Sequence, residues 1–167
     1  VTVGSGTYSA AHPVYGSYFA GNGSLTIGGA TYDSWAASKG LTGEDAEPGS
    51  DPDHDGVSNL VEFYLDGNPL ASDPSILPAA TLDATHLILT FQRRDDAEAD
   101  VTTQAVQYGS DLSGWSSVDL GATSATDGNG VSVTVEENGT DPDDITVRIP
   151  RALAVGGKLF GRLHVTQ

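Results

Sequence analysis

The sequence predicts a mainly β protein, in which an antiparallel β-sandwich forms the C-terminal half and a strand-like arm and a short helix–loop–helix segment precede it. Three observations support this prediction. Apolar and polar residues alternate in short runs after position 78, turn residues separate those runs, and a proline-bounded connector over 68–78 divides them from a region with helical spacing.

The first 30 residues form a glycine-rich arm in which residues 1–3 and 24–27 predict short strands. This arm has too little aliphatic surface to fold alone, and an unpaired strand leaves backbone N–H and C=O groups without partners. We therefore expect the arm to pair, either with the sandwich of its own chain or with a sheet edge of another chain.

Helix signals follow the arm. Either Thr31 or Asp33 can cap a helix that ends at Gly40, and Tyr32, Trp35 and Ala36 lie at helical spacing. A second apolar stripe, over 60–65, predicts another short helix. The two helices flank a segment that is rich in aspartate.

The C-terminal half contains short alternating runs that are separated by turns rich in Gly, Asn and Asp. These runs predict strands over 86–91, 101–108, 115–120, 131–135, 145–149 and 159–165. Because no helical segment is predicted between them, an antiparallel β-sandwich is the expected arrangement. The predicted organisation is an arm over 1–30, a helix–loop–helix segment over 31–77 and a β-sandwich domain over 78–167.

The composition excludes several classes of protein. The chain has 167 residues and a formal net charge of −16, from 7 Lys and Arg against 23 Asp and Glu. This balance argues against a nucleic-acid partner, because phosphate contacts need clustered basic residues, and no apolar run is long enough for a membrane span. Cysteine is absent, so disulfides and thiolate metal sites are excluded. The acidity favours a secreted bacterial protein, and position 1 without Met favours a processed N-terminus or a cut from a longer chain.

An acidic segment over 51–62 matches the EF-hand calcium loop at each diagnostic position. Calcium takes about six to eight oxygen ligands, which such a loop supplies by turning alternate side chains inward while a helix delivers the last carboxylate. The predicted ligands are the side chains at positions 1, 3, 5, 9 and 12 and the carbonyl at position 7: Asp51, Asp53, Asp55, Asn59, Glu62 and Val57. Gly56, at position 6, allows the sharp turn. The predicted cofactor is therefore Ca²⁺, held in a helix–calcium loop–helix segment.

Other carboxylates near the loop raise the hypothesis of a second ion. Glu44, Asp45 and Glu47 precede the loop, Asp73 follows its helix, and residues 141–144 form a separate acidic turn. Acidic turns of this kind are more often solvated than metal-bound, and both interpretations stay open at this point.

The segment 51–62 resembles the loop of dockerin modules and of the thrombospondin type 3 calcium repeats. Residues 32–167, through the segments 89–94, 108–115 and 161–165, resemble the C-terminal region of many large secreted proteins of environmental bacteria. The resemblance implies secretion, calcium binding and a native C-terminus, without a single shared reaction. In two respects the sequence departs from these families: no helix directly precedes the loop, and a dockerin has two loops where this chain has one. Docking to a cohesin is therefore not expected.

The sequence predicts no enzymatic activity. It contains no nucleophile elbow, no histidine pair of a metal hydrolase and no phosphate-binding loop. A pair of catalytic carboxylates that meets only in the folded protein stays open as an alternative.

The favoured hypothesis is a non-catalytic, secreted, calcium-binding structural protein. It would be a cell-surface or extracellular fibre subunit that associates with copies of itself through residues 1–30, by strand addition. The alternative is a calcium-stabilised carbohydrate-binding or adhesion module of a larger secreted polysaccharide-degrading enzyme. In that alternative Trp115, Tyr15 and Tyr18 stack on sugar rings, whereas the simpler interpretation of Trp115 is a core residue.

Overall fold

The computed structural model describes residues 30–139 and 141–167, together with the backbone of residues 6–9 and 24–27. The helices in these ranges are α1 (Tyr32–Ser38), α2 (Asn59–Tyr64) and α3 (Ala97–Asp100). The strands are β1 (Gly6–Ser9), β2 (Ser24–Ile27), β3 (Ala79–Leu82), β4 (His86–Arg93), β5 (Thr103–Gly109), β6 (Ser116–Asp119), β7 (Ala125–Thr126), β8 (Ser132–Glu136), β9 (Asp143–Pro150) and β10 (Phe160–Thr166).

The strands form two larger antiparallel sheets and a separate hairpin. The first sheet has the order β3-β4-β9-β8-β7, and the second has the order β10-β5-β6. Strands β1 and β2 pair with each other in a two-stranded antiparallel sheet. The prediction of a mainly β protein with antiparallel sheets and few helices is therefore confirmed.

Period-two alternation explains the core of the first sheet. In β4 the side chains of Leu89 and Phe91 are buried, while Thr90 between them is exposed. In β9 the partners Val147 and Ile145 are also buried, and they lie opposite Leu89 and Phe91 in the strand register. Both strands thus turn an apolar face towards the interior, as the alternation in the sequence predicts.

The two larger sheets approach each other closely at Gly161 in β10. A Cβ atom at this glycine would lie 3.1 Å from the Cδ1 atoms of both Leu89 and Ile149, which belong to the other sheet. A side chain at this point would therefore separate the sheets. Face-to-face contact of this kind is the arrangement that a β-sandwich requires.

Several elements differ from the sequence predictions. Strands β3 and β7 were not predicted, and the expectation that no helix lies between the strands is wrong at α3. All four residues of β3 are exposed, so no burial pattern marked this strand in the sequence. The strand predicted over 1–3 lies outside the described residues.

The helical segment forms as predicted around an aromatic cluster. The Thr31 Oγ1 atom accepts a hydrogen bond from the Ser34 N–H at 3.2 Å and caps α1. Tyr32 and Trp35 on α1 pack against Phe63 on α2, with ring centroids 5.8 Å and 5.5 Å from that of Phe63. These three rings are buried, so the two short helices hold each other through apolar contact.

Hydrogen bonds join the helical segment to the strand region. The backbone N–H of Tyr32 donates to Asp100 Oδ2 at 2.6 Å, and the backbone N–H of Arg94 donates to the carbonyl oxygen of Tyr64 at 3.0 Å. The Tyr64 hydroxyl donates to Gln104 Oε1 at 3.1 Å. The buried residues of the helices and sheets also form one continuous apolar cluster. Among the described helices, none has the length and apolar character needed to cross a membrane.

The contact between the sheets predicts the effect of a substitution at Gly161. Replacing Gly161 with Val places methyl groups against Leu89 and Ile149, and we expect the free energy of unfolding to fall by about 1–3 kcal/mol. Urea denaturation measures this change. As a control, Gly128→Val introduces a side chain where no atom lies within 4 Å, and its effect should stay within about 0.5 kcal/mol. Equal stability of the two variants would contradict close packing of the sheets.

Candidate metal centre

The acidic loop turns sharply so that its aspartates converge. Gly56 has a φ of +91°, which favours glycine, and His54 also adopts a left-handed conformation, with a φ of +62°. As a result, carboxylate oxygens of Asp51, Asp53 and Asp55 all lie within 4.8 Å of one another. The structure therefore brings together the three aspartates that the sequence predicts as ligands.

Backbone N–H groups of the loop hold all three carboxylates in place, and the shortest bonds are those to Asp51 and Asp55. Asp51 Oδ2 accepts a hydrogen bond from the Gly56 N–H at 2.9 Å, and Asp55 Oδ1 accepts one from the Val57 N–H at 2.8 Å. Desolvation acts to raise the pKa of Asp51, but hydrogen bonds, led by that from Gly56, outweigh it and leave this pKa below its usual range. These hydrogen bonds favour the charged form of Asp51, whereas desolvation and the neighbouring aspartates raise the pKa of Asp53.

Glu62 is the most unusual residue of the centre. It lies on α2, and only 1 % of its surface is exposed. Within the described part of the chain, neither oxygen of its carboxylate has a hydrogen-bond partner. Burial, together with the negative charges of nearby aspartates led by Asp53 and Asp73, raises the pKa of Glu62 to about 7. A buried, unpaired carboxyl group beside other carboxylates is unfavourable unless a cation compensates it.

Asp73 lies at the same centre, although it is 11 residues beyond the loop in the sequence. Its backbone N–H donates to Asp55 Oδ2 at 2.8 Å, and its Oδ2 atom accepts from the Asn68 N–H at 3.1 Å. Its Oδ1 atom is buried and has no hydrogen-bond partner among the described residues. The sequence places Asp73 with the acids of a second ion, whereas the structure places it beside the loop. The sequence does not predict this position, since the spacing of Asp73 from the loop matches no ligand pattern. The position depends on how the connector folds after α2.

The other acids of that proposed second group face solvent. Glu44, Asp45 and Glu47 are all exposed. They belong to or follow a 3-10 helix over Gly43–Ala46, which precedes the loop where an EF-hand has an entering α-helix. Asp73 is therefore the one member of the group that is bonded to a loop aspartate, through the hydrogen bond from its backbone N–H to Asp55.

Asn59 is fully buried and binds the backbone that leads into the loop. Its Nδ2 atom donates to the carbonyl oxygens of Asp45 and Glu47, at 2.8 Å and 2.9 Å. This amide therefore fixes the incoming turn against the start of α2. The ligand roles predicted for Asn59 and for the Val57 carbonyl stay predictions.

The donor set fits a hard divalent cation. Four buried carboxylate oxygens lack a hydrogen-bond partner in the described residues of the centre: Asp53 Oδ2, Asp73 Oδ1, Glu62 Oε1 and Glu62 Oε2. Oxygen donors from several carboxylates suit Ca²⁺, which accepts irregular geometry, better than Mg²⁺, which demands a near-ideal octahedron. The residues that would hold the ion are thus the loop aspartates, Glu62 and Asp73.

A second acidic group is paired with a cationic side chain of the protein, that of Arg93. Carboxylate oxygens of Glu98, Glu137 and Asp143 lie within 4.8 Å of one another. The Arg93 side chain is fully buried beside them, and its Nη2 atom donates to Glu98 and, at 2.9 Å, to Asp143 Oδ2. Its Nη1 atom donates to the Gly121 carbonyl oxygen at 2.9 Å. Asp143, which the sequence places in an exposed acidic turn, is therefore a buried ion-pair partner.

Of the three aromatic residues predicted to bind a sugar, the structure describes Trp115. Trp115 is half-buried, and the Arg162 guanidinium lies over its ring, 4.3 Å from the centroid. Gln107 Oε1 accepts hydrogen bonds from Arg162 Nε and Nη2 at 2.9 Å and 2.7 Å and thereby holds the guanidinium in place. Tyr15 and Tyr18 lie outside the described residues.

Comparison of the chain with protein-family models, with curated proteins and with solved structures found no match.

The buried arginine leads to a prediction about stability. Arg93→Met preserves much of the side-chain volume but leaves Asp143 and Glu98 without their cation, so we expect the free energy of unfolding to fall by about 3–5 kcal/mol. Chemical denaturation measures the loss. The double variant Arg93→Met/Asp143→Leu also removes the buried carboxylate of Asp143, leaves only the partly exposed Glu98 unpaired and should recover part of the loss. If the single variant Arg93→Met were as stable as the wild type, the role of this ion pair would be refuted.

Proposed function

We propose that this protein is a non-catalytic, extracellular calcium-binding structural protein, in which Ca²⁺ binds at the loop 51–62. The observation that carries the proposal is the Glu62 carboxylate, which is buried, has no hydrogen-bond partner in the described chain and lies near aspartates. A folded protein tolerates such a group when a cation binds it.

The proposed role of the ion is structural, because α2 connects the metal centre to the apolar core. The helix carries Glu62 at the metal centre, while its next two residues, Phe63 and Tyr64, are completely buried in the core. An ion bound to Glu62 and the loop aspartates would therefore fix the loop relative to the aromatic cluster. We expect affinity in the range of extracellular calcium modules, on the order of 10⁻⁴–10⁻³ M, because a single loop lacks the support of a paired one.

Calcium should stabilise the wild-type protein and leave a Glu62 variant unaffected. At about 10 mM Ca²⁺ the affinity given above corresponds to about 1.4–2.7 kcal/mol, or a rise in Tm of roughly 3–10 °C relative to the chelated protein. In Glu62→Gln the ion loses two carboxylate oxygens, so Ca²⁺ should no longer raise Tm. In chelator the variant should be at least as stable as the wild type, because a buried charge beside other carboxylates is removed.

A matched control is Glu136→Gln, which changes an exposed glutamate on β8. This variant should keep the full calcium-dependent rise in Tm. Differential scanning calorimetry with and without chelator measures all three proteins. A wild-type melt that is identical in calcium and in chelator would refute the calcium proposal.

Self-association through the arm is the second part of the proposed function. Strands β1 and β2 pair with each other over Gly6–Ser9 and Ser24–Ile27, so the facing edges of the two strands share backbone hydrogen bonds. Each has no further strand partner in the described residues, so strand addition would use an outer edge of this hairpin. Calcium would offset part of the repulsion between subunits that each carry a net charge of −16.

Removal of the arm should therefore abolish assembly. We expect the full chain to form oligomers or filaments in millimolar Ca²⁺, and a truncation that starts at Thr31 to stay monomeric. Light scattering coupled to size exclusion, followed by electron microscopy, distinguishes the two. The truncated protein should retain its calcium-dependent Tm, which serves as the control for folding.

If both forms are the same monomer, the subunit hypothesis is lost and the carbohydrate-binding or adhesion module takes its place. One observation favours that second candidate, since Trp115 is half-buried rather than part of the core. One observation weighs against it, because Arg162 covers a face of the ring on which a sugar would stack.

A further inference from the structure

We propose that Asp73 is a ligand of the bound calcium ion, so that the centre joins the loop 51–62 to the connector over 68–78. This inference rests on the proposed calcium function and adds a ligand from outside the EF-hand pattern. It also gives the centre five carboxylates, from Asp51, Asp53, Asp55, Glu62 and Asp73, instead of the four that the loop pattern provides.

The position of the Asp73 side chain supports this role. Its Oδ1 atom is buried without a hydrogen-bond partner in the described chain, as are both oxygens of Glu62 and the Oδ2 atom of Asp53. The backbone N–H of Asp73 donates to Asp55 Oδ2 at 2.8 Å, which fixes the residue beside the loop. The negative charge of Asp73 also acts on Glu62, second only to that of Asp53 among the neighbouring carboxylates. Acidic residues alone would not define a site, but the buried and unpaired Glu62 among them indicates a cation.

The fold of the connector explains how Asp73 reaches the loop. The Gly67 N–H donates to the Glu62 carbonyl oxygen at 2.7 Å, so the chain reverses directly after α2. A Cβ atom at Gly67 would lie 2.6 Å from Ile76 Cδ1 and 3.1 Å from Glu62 Cβ. Glycine thus allows the connector to pack against the helix turn that carries Glu62. The connector over 68–78 therefore folds back on the metal centre rather than extending away from it.

Asp73 adds to the oxygens that the loop pattern supplies. The Asn59 amide nitrogen donates to the carbonyl oxygens of Asp45 and Glu47, while the Asn59 Oδ1 atom is buried without a partner among the described residues. The Asp73 carboxylate from the connector contributes a further oxygen and a negative charge. Binding of the ion would then order the connector, which leads directly into the edge strand β3.

Calcium titration of matched aspartate variants tests this ligand. Asp73→Asn keeps the size of the side chain and the backbone N–H that bonds to Asp55, and it should weaken calcium binding by about tenfold or more. Asp45→Asn removes the same charge from an exposed aspartate near the loop, and its affinity should stay within about twofold of the wild type. Isothermal titration calorimetry at constant ionic strength measures both.

The outcomes separate the two proposals. If the wild type binds calcium and Asp73→Asn binds as tightly as Asp45→Asn, the role of Asp73 is refuted while the calcium function stands. If the wild type does not bind calcium, the proposed function itself fails.

Hydrogen exchange on the wild-type chain provides a test that does not depend on a variant. Calcium should slow amide exchange in the connector over 68–78 as well as in the loop 51–62. Protection confined to residues 51–62 would overturn the inference.

Discussion

The buried carboxylate of Glu62 is the constraint on which the arrangement of this protein depends. One turn of α2 places Glu62 among the loop aspartates and Phe63 and Tyr64 in the apolar core. The Tyr64 carbonyl oxygen and hydroxyl group then bind Arg94 and Gln104 in the strand region. With the proposed ion bound, Glu62 would therefore couple the loop to the aromatic cluster and to its attachment to the sheets.

The two buried acidic groups differ in what compensates their negative charge. At Asp143 and Glu98 the chain supplies Arg93 as the compensating cation, so this group is satisfied by the fold itself. At Glu62 no described residue donates to the carboxylate, and the charged groups that act on it most strongly are also negative. The first arrangement needs no dissolved ion, whereas the second would make the stability of the helical segment depend on one if the proposed function holds.

The sequence predicts the features that depend on local pattern, and it misses those that depend on tertiary contact. The alternation in β4 and β9, the cap at Thr31 and the turn at Gly56 follow from neighbouring residues, and the structure shows each of them. Strand β3 has four exposed residues and therefore no alternation to detect. The position of Asp73 depends on the reversal of the connector after α2, and the burial of Arg93 depends on Asp143, which lies 50 residues further along the chain. No spacing rule within a single segment encodes contacts of this kind.

The absence of cysteine gives the metal centre a particular importance in this chain. Disulfides are excluded, and the connection from α2 to the strands runs through short turns that bury little apolar surface, since Leu70 and Leu77 are exposed. A divalent ion bound to side chains before, within and after α2 would join three stretches of backbone at one point, and it would stabilise the folded state because the unfolded chain has no such site. Unlike a covalent bridge, this link would form only where free calcium reaches about 10⁻⁴–10⁻³ M. If the proposed ligand set is correct, the helical segment therefore becomes fully stable only in a calcium-rich medium such as the extracellular environment.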